Sequence, residues 1–168
     1  MIMTNVEIRP YSAIFAKKYS RIKNKILKAV GRNLDIHHVG STAVPGLGGK
    51  GIIDVLIGIR SWNETNEIVN KLKSIGFVHV HPKENGRKFL STKRESALGD
   101  YHIHIVHKKT KQYEDFLKFV DVLRKSKEEK EKYLEMKKVL SEKYKDRKKY
   151  RKLKGAYIKT ILRHAKKK

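Results

Sequence analysis

Two short stretches hold the side chains with most chemistry to offer. In the first, His38-Val39-Gly40-Ser41-Thr42 precedes the run GIIDVLIGI, which carries Asp54. A glycine after an apolar run lets backbone amides close on a phosphate, and Ser41 and Thr42 add hydroxyl donors. The GxxxxGK[ST] spacing of a P-loop is missing. Pro45, Gly46, Gly48 and Gly49 mark a tight loop leading to Lys50, an ammonium placed to reach a phosphate. A carboxylate on an apolar strand is costly unless a cation or hydrogen-bond donors balance it. Asp54 is therefore expected to hold a metal or take part in catalysis, against the alternative that it bonds nearby backbone amides.

The second stretch is Asp100-Tyr101-His102-Ile103-His104. Residues at i, i+2 and i+4 share one face of a strand, with attachment points about 6–7 Å apart. If this strand neighbours the first, His38, Asp54, His102 and His104 converge, and all four are expected as metal ligands. His102 and His104 are also expected to serve in acid–base chemistry. Imidazoles with one carboxylate favour a transition metal such as Zn, Mn, Fe or Ni over Mg, while phosphates would favour Mg or Mn. The alternative is that both imidazoles hydrogen-bond within the sheet. His37 should face away from His38, and His79, His81, His107 and His164 are expected to be structural or exposed. Arg87, Lys88 and Arg94 flank the strand before the histidines; no substrate role is expected of them, with an anion clamp as the alternative.

The elements that must position these groups can be read from periodicity. Tyr11 to Gly31 is an amphipathic helix with a glycine stop, and Ser61 to Gly76 is a second, with Ser61 as N-cap. LDIHHVG, GIIDVLIGI, FVHVH, RKFLST and YHIHIVH are strand candidates, and GIIDVLIGI is apolar on both alternating faces, as a central strand is. HPKENG reads as a hairpin connection. From about Thr110 the pattern is helical, in two or three segments. The expected architecture is α+β, a mixed sheet of about five strands flanked by helices. It forms one domain over 1–168, with an α/β core at 1–109 and a basic helical part at 110–168.

Composition bounds the rest. The chain has 168 residues and no cysteine, which excludes thiolate sites and disulfides. No apolar run reaches the ~18–20 residues of a membrane helix, and the start lacks a secretory pattern, so a cytoplasmic location away from membranes is expected. The formal charge is +24, and residues 108–168 hold 24 Lys and Arg against 9 Asp and Glu, a net of +15. RNA is the obvious polyanion for such a field. The competing reading is a solvated lysine-rich surface, since Lys outnumbers Arg 31 to 10.

The block HHVGSTAVPGLGGKGIIDVLIGI closely resembles the signature of the GrpB family, in the nucleotidyltransferase-fold superfamily. VEIRPYS, RKFLSTKR, YHIHIV and DRKKYRKLKGAYIKTIL agree in order, so the resemblance spans essentially the whole chain. It implies a nucleotidyltransferase-like fold in which Gly40 and Ser41 hold a triphosphate and strand carboxylates hold a divalent metal, Mg or Mn. It also implies attack of an acceptor hydroxyl on the α-phosphate. Some domains of this type are fused to dephospho-CoA kinase, which hints at nucleotide or coenzyme metabolism. Tyr150, Lys154 and Tyr157 match the family's C-terminal signature, with Lys154 expected to face the cleft and Tyr157 and Ile158 to pack. Active members of the superfamily carry a second carboxylate two residues after the first. That position is Leu56 here, followed on the same face by Gly58. The chain is thus expected to be a nucleotidyltransferase-type enzyme, or a binding module for a nucleotide, a coenzyme A precursor or RNA.

Overall fold

The computed structural model describes residues 7–93 and 99–165; Arg94 and Lys166–Lys168 lie outside them. The first helix, α1 (Ile14–Val30), buries Phe15, Ile22, Ile26 and Val30, a stripe spaced at seven, four and four residues as a 3.6-residue period requires. It ends at Gly31, whose φ of 74° lets its N–H reach back to the Leu27 carbonyl. Strand β1 (Asp35–Val39) leads into a 3-10 turn at Ser41–Ala43, and β2 (Ile53–Ile59) follows the glycine loop. A capping box between Ser61 and Glu64 starts the turn that continues into α2 (Thr65–Ser74).

β3 is only His79–Val80, and β4 spans Arg87–Ser91. The connection between them closes on Asn85 and Gly86, both at positive φ, with Glu84 and Arg87 exchanging two backbone hydrogen bonds. That is the mirror-image turn that Asn-Gly favours. β5 is Tyr101–His107, and α3 (Lys111–Lys125), α4 (Lys127–Lys143) and α5 (Arg147–His164) complete the chain. The side chains of Thr110, Ser126 and Asp146 accept the first free amides of these three helices.

The sheet order is β1-β2-β5-β4-β3. β2 and β5 run parallel at its centre, and every other pairing is antiparallel. The five-stranded mixed sheet and the α+β class agree with the expectation from sequence. Each face has its own core. Ile53, Val55, Ile57 and Ile59 alternate onto one face with Ile103 and Ile105, under α1 and α2. Leu56, Val106 and Val39 occupy the other, under Tyr113, Phe119 and Leu123 of α3, Tyr133 of α4 and Ile161 of α5. The C-terminal helices therefore cover a sheet face, and a fully buried side chain of this size is worth about 1.5–3 kcal/mol.

Candidate functional site

The second face is left uncovered at one end, where β2 and β5 begin. A cavity of about 490 Å³ opens there. Parallel pairing sets Asp54 beside His102 and Leu56 beside His104, while β4 sets Phe89 beside His104 and Ser91 beside His102. Period-two alternation turns Asp54, His102, His104, Phe89, Ser91 and Arg87 toward the cavity, and all six line it.

His102 is held between two carboxylates. Its Nε2 lies 2.8 Å from Asp100 Oδ2 and its Nδ1 lies 3.4 Å from Asp54 Oδ1. Asp100 is buried and anchored by the amides of Thr92 and Lys93 and the Thr92 hydroxyl, all donating to its Oδ1. Burial alone would lower the His102 pKa, but the hydrogen bonds to Asp100 and Asp54 outweigh it and push it up to about 9. Both carboxylates accept, so both ring nitrogens donate and His102 is an imidazolium at neutral pH.

His104 behaves oppositely. Its Nε2 lies 3.1 Å from Asp54 Oδ1 and its Nδ1 lies 3.3 Å from an Arg87 guanidinium nitrogen. Arginine only donates, so Nδ1 accepts and Nε2–H donates to Asp54. Burial lowers this pKa and Asp54 does not fully offset it, which leaves His104 neutral. Burial opposes the Asp54 charge, yet the bonds from His102 and His104 hold its carboxyl well below the usual carboxylate range. The other carboxylate oxygen, Oδ2, faces Gly40. A Cβ added there would sit 2.6 Å from it, and Gly40 has a φ of 72°. Only glycine lets this turn lie against the carboxylate.

The opposite wall is cationic. Lys50, Lys137, Arg151 and Lys154 line the cavity away from the sheet, and Arg87 joins them from β4 beside His104. Lys50 and Lys154 lie over the Tyr150 ring, 5.5 and 5.9 Å from its centroid. Burial and the nearby charges of Lys154, Arg147 and Arg151 depress the Lys50 pKa to about 8. Burial likewise lowers Lys154. Lys137 was not singled out by sequence, where it is one of many lysines in α4. It is only 2% exposed, donates to the Gly48 carbonyl and to Ser41 Oγ at 3.2 Å, and burial depresses its pKa to about 7. The loop is held from above by the same helices: Arg124 donates to the Ala43 carbonyl and Lys130 to that of Pro45.

Of the residues expected from sequence, Ser41, Thr42, Lys50, Asp54, His102, His104 and Lys154 come together at the cavity, and Gly40 lies against Asp54. His38 does not. β1 is antiparallel to β2 with His38 opposite Val55, so its ring shares the α1 face and stacks on Tyr19 at 4.5 Å. Its Nε2 donates to Thr42 Oγ1 at 3.0 Å, and that hydroxyl donates on to the Ile52 carbonyl. Burial depresses the His38 pKa to about 4. Its expected place among metal ligands is thereby corrected, and the Thr42 hydroxyl proton is committed inside the protein. Lys88, opposite Ile105, also lies on the wrong face for an anion clamp, and Arg94 falls outside the described residues. His81, expected to be structural or exposed, lines the cavity mouth, 5.1 Å from Phe89. Tyr157 and Ile158 pack against the second core.

In this arrangement the imidazole nitrogens are already engaged within the protein. His102 has no lone pair to give, and that of His104 is taken by Arg87. Leu56, next on the Asp54 face, adds no ligand, and among the described residues no three His, Asp or Glu side chains are grouped as around an ion. One oxygen, Asp54 Oδ2, remains. It suits an ion carried in by phosphate oxygens.

A solved structure shares this architecture. A crystal structure of conserved protein GrpB from Enterococcus faecalis overlays with a TM-score of 0.80 at 23% identity, covering 95% of this chain and 96% of that one. A chain of the Cid1 poly(U) polymerase overlays at 0.44 and 13% identity, over 70% of this chain and 41% of that one. UPF0157 protein SCO7215 of Streptomyces coelicolor is 29% identical over 71% of this chain and 61% of its own length. UPF0157 protein YqkA of Bacillus subtilis is 31% identical over 71% of this chain and only 35% of its own length, so the chain matches a part of these relatives. The family model described as GrpB protein matches residues 5–164, and the chain is a member of the GrpB family.

Proposed function

We propose that the cavity binds the phosphate chain of a nucleoside triphosphate together with its divalent ion, and that the protein is a nucleotidyltransferase-type enzyme. The observation that carries this reading is the convergence of five cationic side chains and Asp54 on one cavity beside the Gly40–Ser41 turn. Cations aimed at one point in a partly dry site neutralise charge that develops on phosphate oxygens at little reorganisation cost. Ser41 and the amides of its turn hold the phosphates, and the nucleotide's ion rests on Asp54 Oδ2.

In the reaction an acceptor hydroxyl forms a bond to the α-phosphorus while the bond to the diphosphate oxygen breaks. Arg87 turns to the incoming phosphates, releasing His104 Nδ1, and that nitrogen takes the hydroxyl proton. Lys50, Lys137, Lys154 and Arg151 balance the departing diphosphate. His102, already protonated, keeps Asp54 ionised and oriented between the two rings. The test is calorimetric titration of each common nucleoside triphosphate, with Mg²⁺ or Mn²⁺, into wild type and Asp54→Asn. Metal-dependent binding that the variant loses is the expected result; equal binding by the two proteins removes Asp54 from its role. Leu56 favours a second reading, a module that binds the nucleotide without turnover. Diphosphate release in the presence of an acceptor separates the two.

A further inference from the structure

The helix that supplies Arg151 and Lys154 to the cavity has a second cationic side. α5 holds eight Lys and Arg and no Asp or Glu. In α3 and α4, four of the ten basic residues are paired within their own helix. Lys111 pairs with Asp115, Lys125 with Asp121, Lys127 with Glu131 and Lys132 with Glu128, each one turn apart. Among the described residues no ion pair joins a Lys or Arg of α5 to a carboxylate. Lys148, Lys149 and Lys152 are exposed there, as are Lys143 at the end of α4 and Lys145 in the turn. Arg147, beside them, has a buried Nε with no hydrogen-bond partner among the described residues.

A solvated lysine face needs no partner, but this one is continuous with a site. Arg151 is exposed and also lines the cavity, so the uncompensated track runs over the mouth and down to Lys154. Resting on the reading of the cavity as a nucleotide site, we infer that a single-stranded nucleic acid lies along the α4–α5 turn and the first half of α5, presenting its terminal hydroxyl to the cavity as the acceptor. A polyanion with phosphates at regular spacing matches a row of cations whose one neighbouring carboxylate in the turn, Asp146, caps α5 and forms no ion pair among the described residues. A strand end fits a cavity of about 490 Å³ where a duplex does not. Contacts are to the backbone, because the one aromatic ring in the turn, Tyr144, already has Lys149 over its face at 4.5 Å. Little dependence on base sequence follows.

The experiment is fluorescence anisotropy with a labelled single-stranded RNA of about 15 nucleotides, read across about 50 to 200 mM salt. Three proteins are compared: wild type, Lys148→Glu/Lys149→Glu/Lys152→Glu, and Lys17→Glu/Arg21→Glu/Lys28→Glu, which makes the same charge change on exposed positions of α1. Wild type should bind, with the salt slope of a strand whose phosphates each release about 0.7 counterion. The α5 variant should lose at least about tenfold in affinity and about two units of slope, with nucleotide titration unchanged. The α1 variant should stay near wild type. Equal losses in both variants, or no RNA binding at the lowest salt, overturn the proposal, as does binding of anionic phospholipid vesicles in place of RNA. If wild type binds RNA through α5 but no nucleoside triphosphate, the surface stands and the reading of the cavity falls.

Discussion

Lys137 shows how one side chain can work against the fold that holds it. Burial disfavours its ammonium, so the free protein carries a partly neutral lysine at neutral pH. A phosphate arriving beside it favours the charged form, and binding therefore takes up protons near pH 7–8. Lys50, depressed to about 8, adds to the same uptake. The sign is fixed: affinity should fall as pH rises through 7 to 9. Calorimetry in buffers of different ionisation enthalpy measures the uptake directly. Lys137→Met should weaken nucleotide binding by about 10–100-fold, the worth of a hydrogen bond to a charged group. It should also shrink the proton uptake. The lost bond to the Gly48 carbonyl offsets the relief of no longer burying an amine and leaves the melting temperature within a few degrees of wild type. A variant both less stable and unchanged in affinity would make Lys137 a loop anchor alone.

Among the elements, β2 is the most constrained. Gly58 has an ordinary negative φ, yet a Cβ there would sit 2.7 Å from Tyr113 Cε2 and against the Asp35 carboxylate. Tyr113 bridges α3 to β1 by donating to Asp35, and His37 joins them at 2.9 Å. Gly58→Ala should cost about 1–3 kcal/mol by overpacking, lowering the melting temperature by several degrees without removing nucleotide binding at the far end of the strand. The strands themselves were legible in sequence, because alternation and the Asn-Gly turn are local signals. So was the shared face of His102 and His104, which needs only the period of a strand. His38 was not. Its side depends on whether β1 pairs with β2 as His38 to Val55 or one residue away, and a one-residue slip flips every side chain. Lys137 was hidden for a related reason: nothing within α4 separates it from Lys130 or Lys138. Only the loop 40–50 packed beneath that helix does.

For the molecule as a whole, a charge of +24 on 168 residues means self-repulsion that any bound anion relieves. Inorganic triphosphate should raise the melting temperature by several degrees at concentrations well above its dissociation constant, and more than sodium chloride of equal ionic strength. Equal shifts from the two salts would show only general screening. Among the described residues no helix is long and apolar enough to cross a membrane. The parallel pairing of β2 with β5 carries a further consequence, in the order of synthesis. The chain emerges N-terminus first, and β2 must wait for β5, 48 residues later at Ile53 and Tyr101, before its second edge is paired. Its Leu56 face then stays bare until α3 to α5 have been made. A nascent chain stalled before α4 would display an unfinished, apolar sheet with Asp54 charged and only Lys50 and Arg87 of its five cations in place. The site is thus acquired only with α5, and products truncated before it should be insoluble rather than partly active.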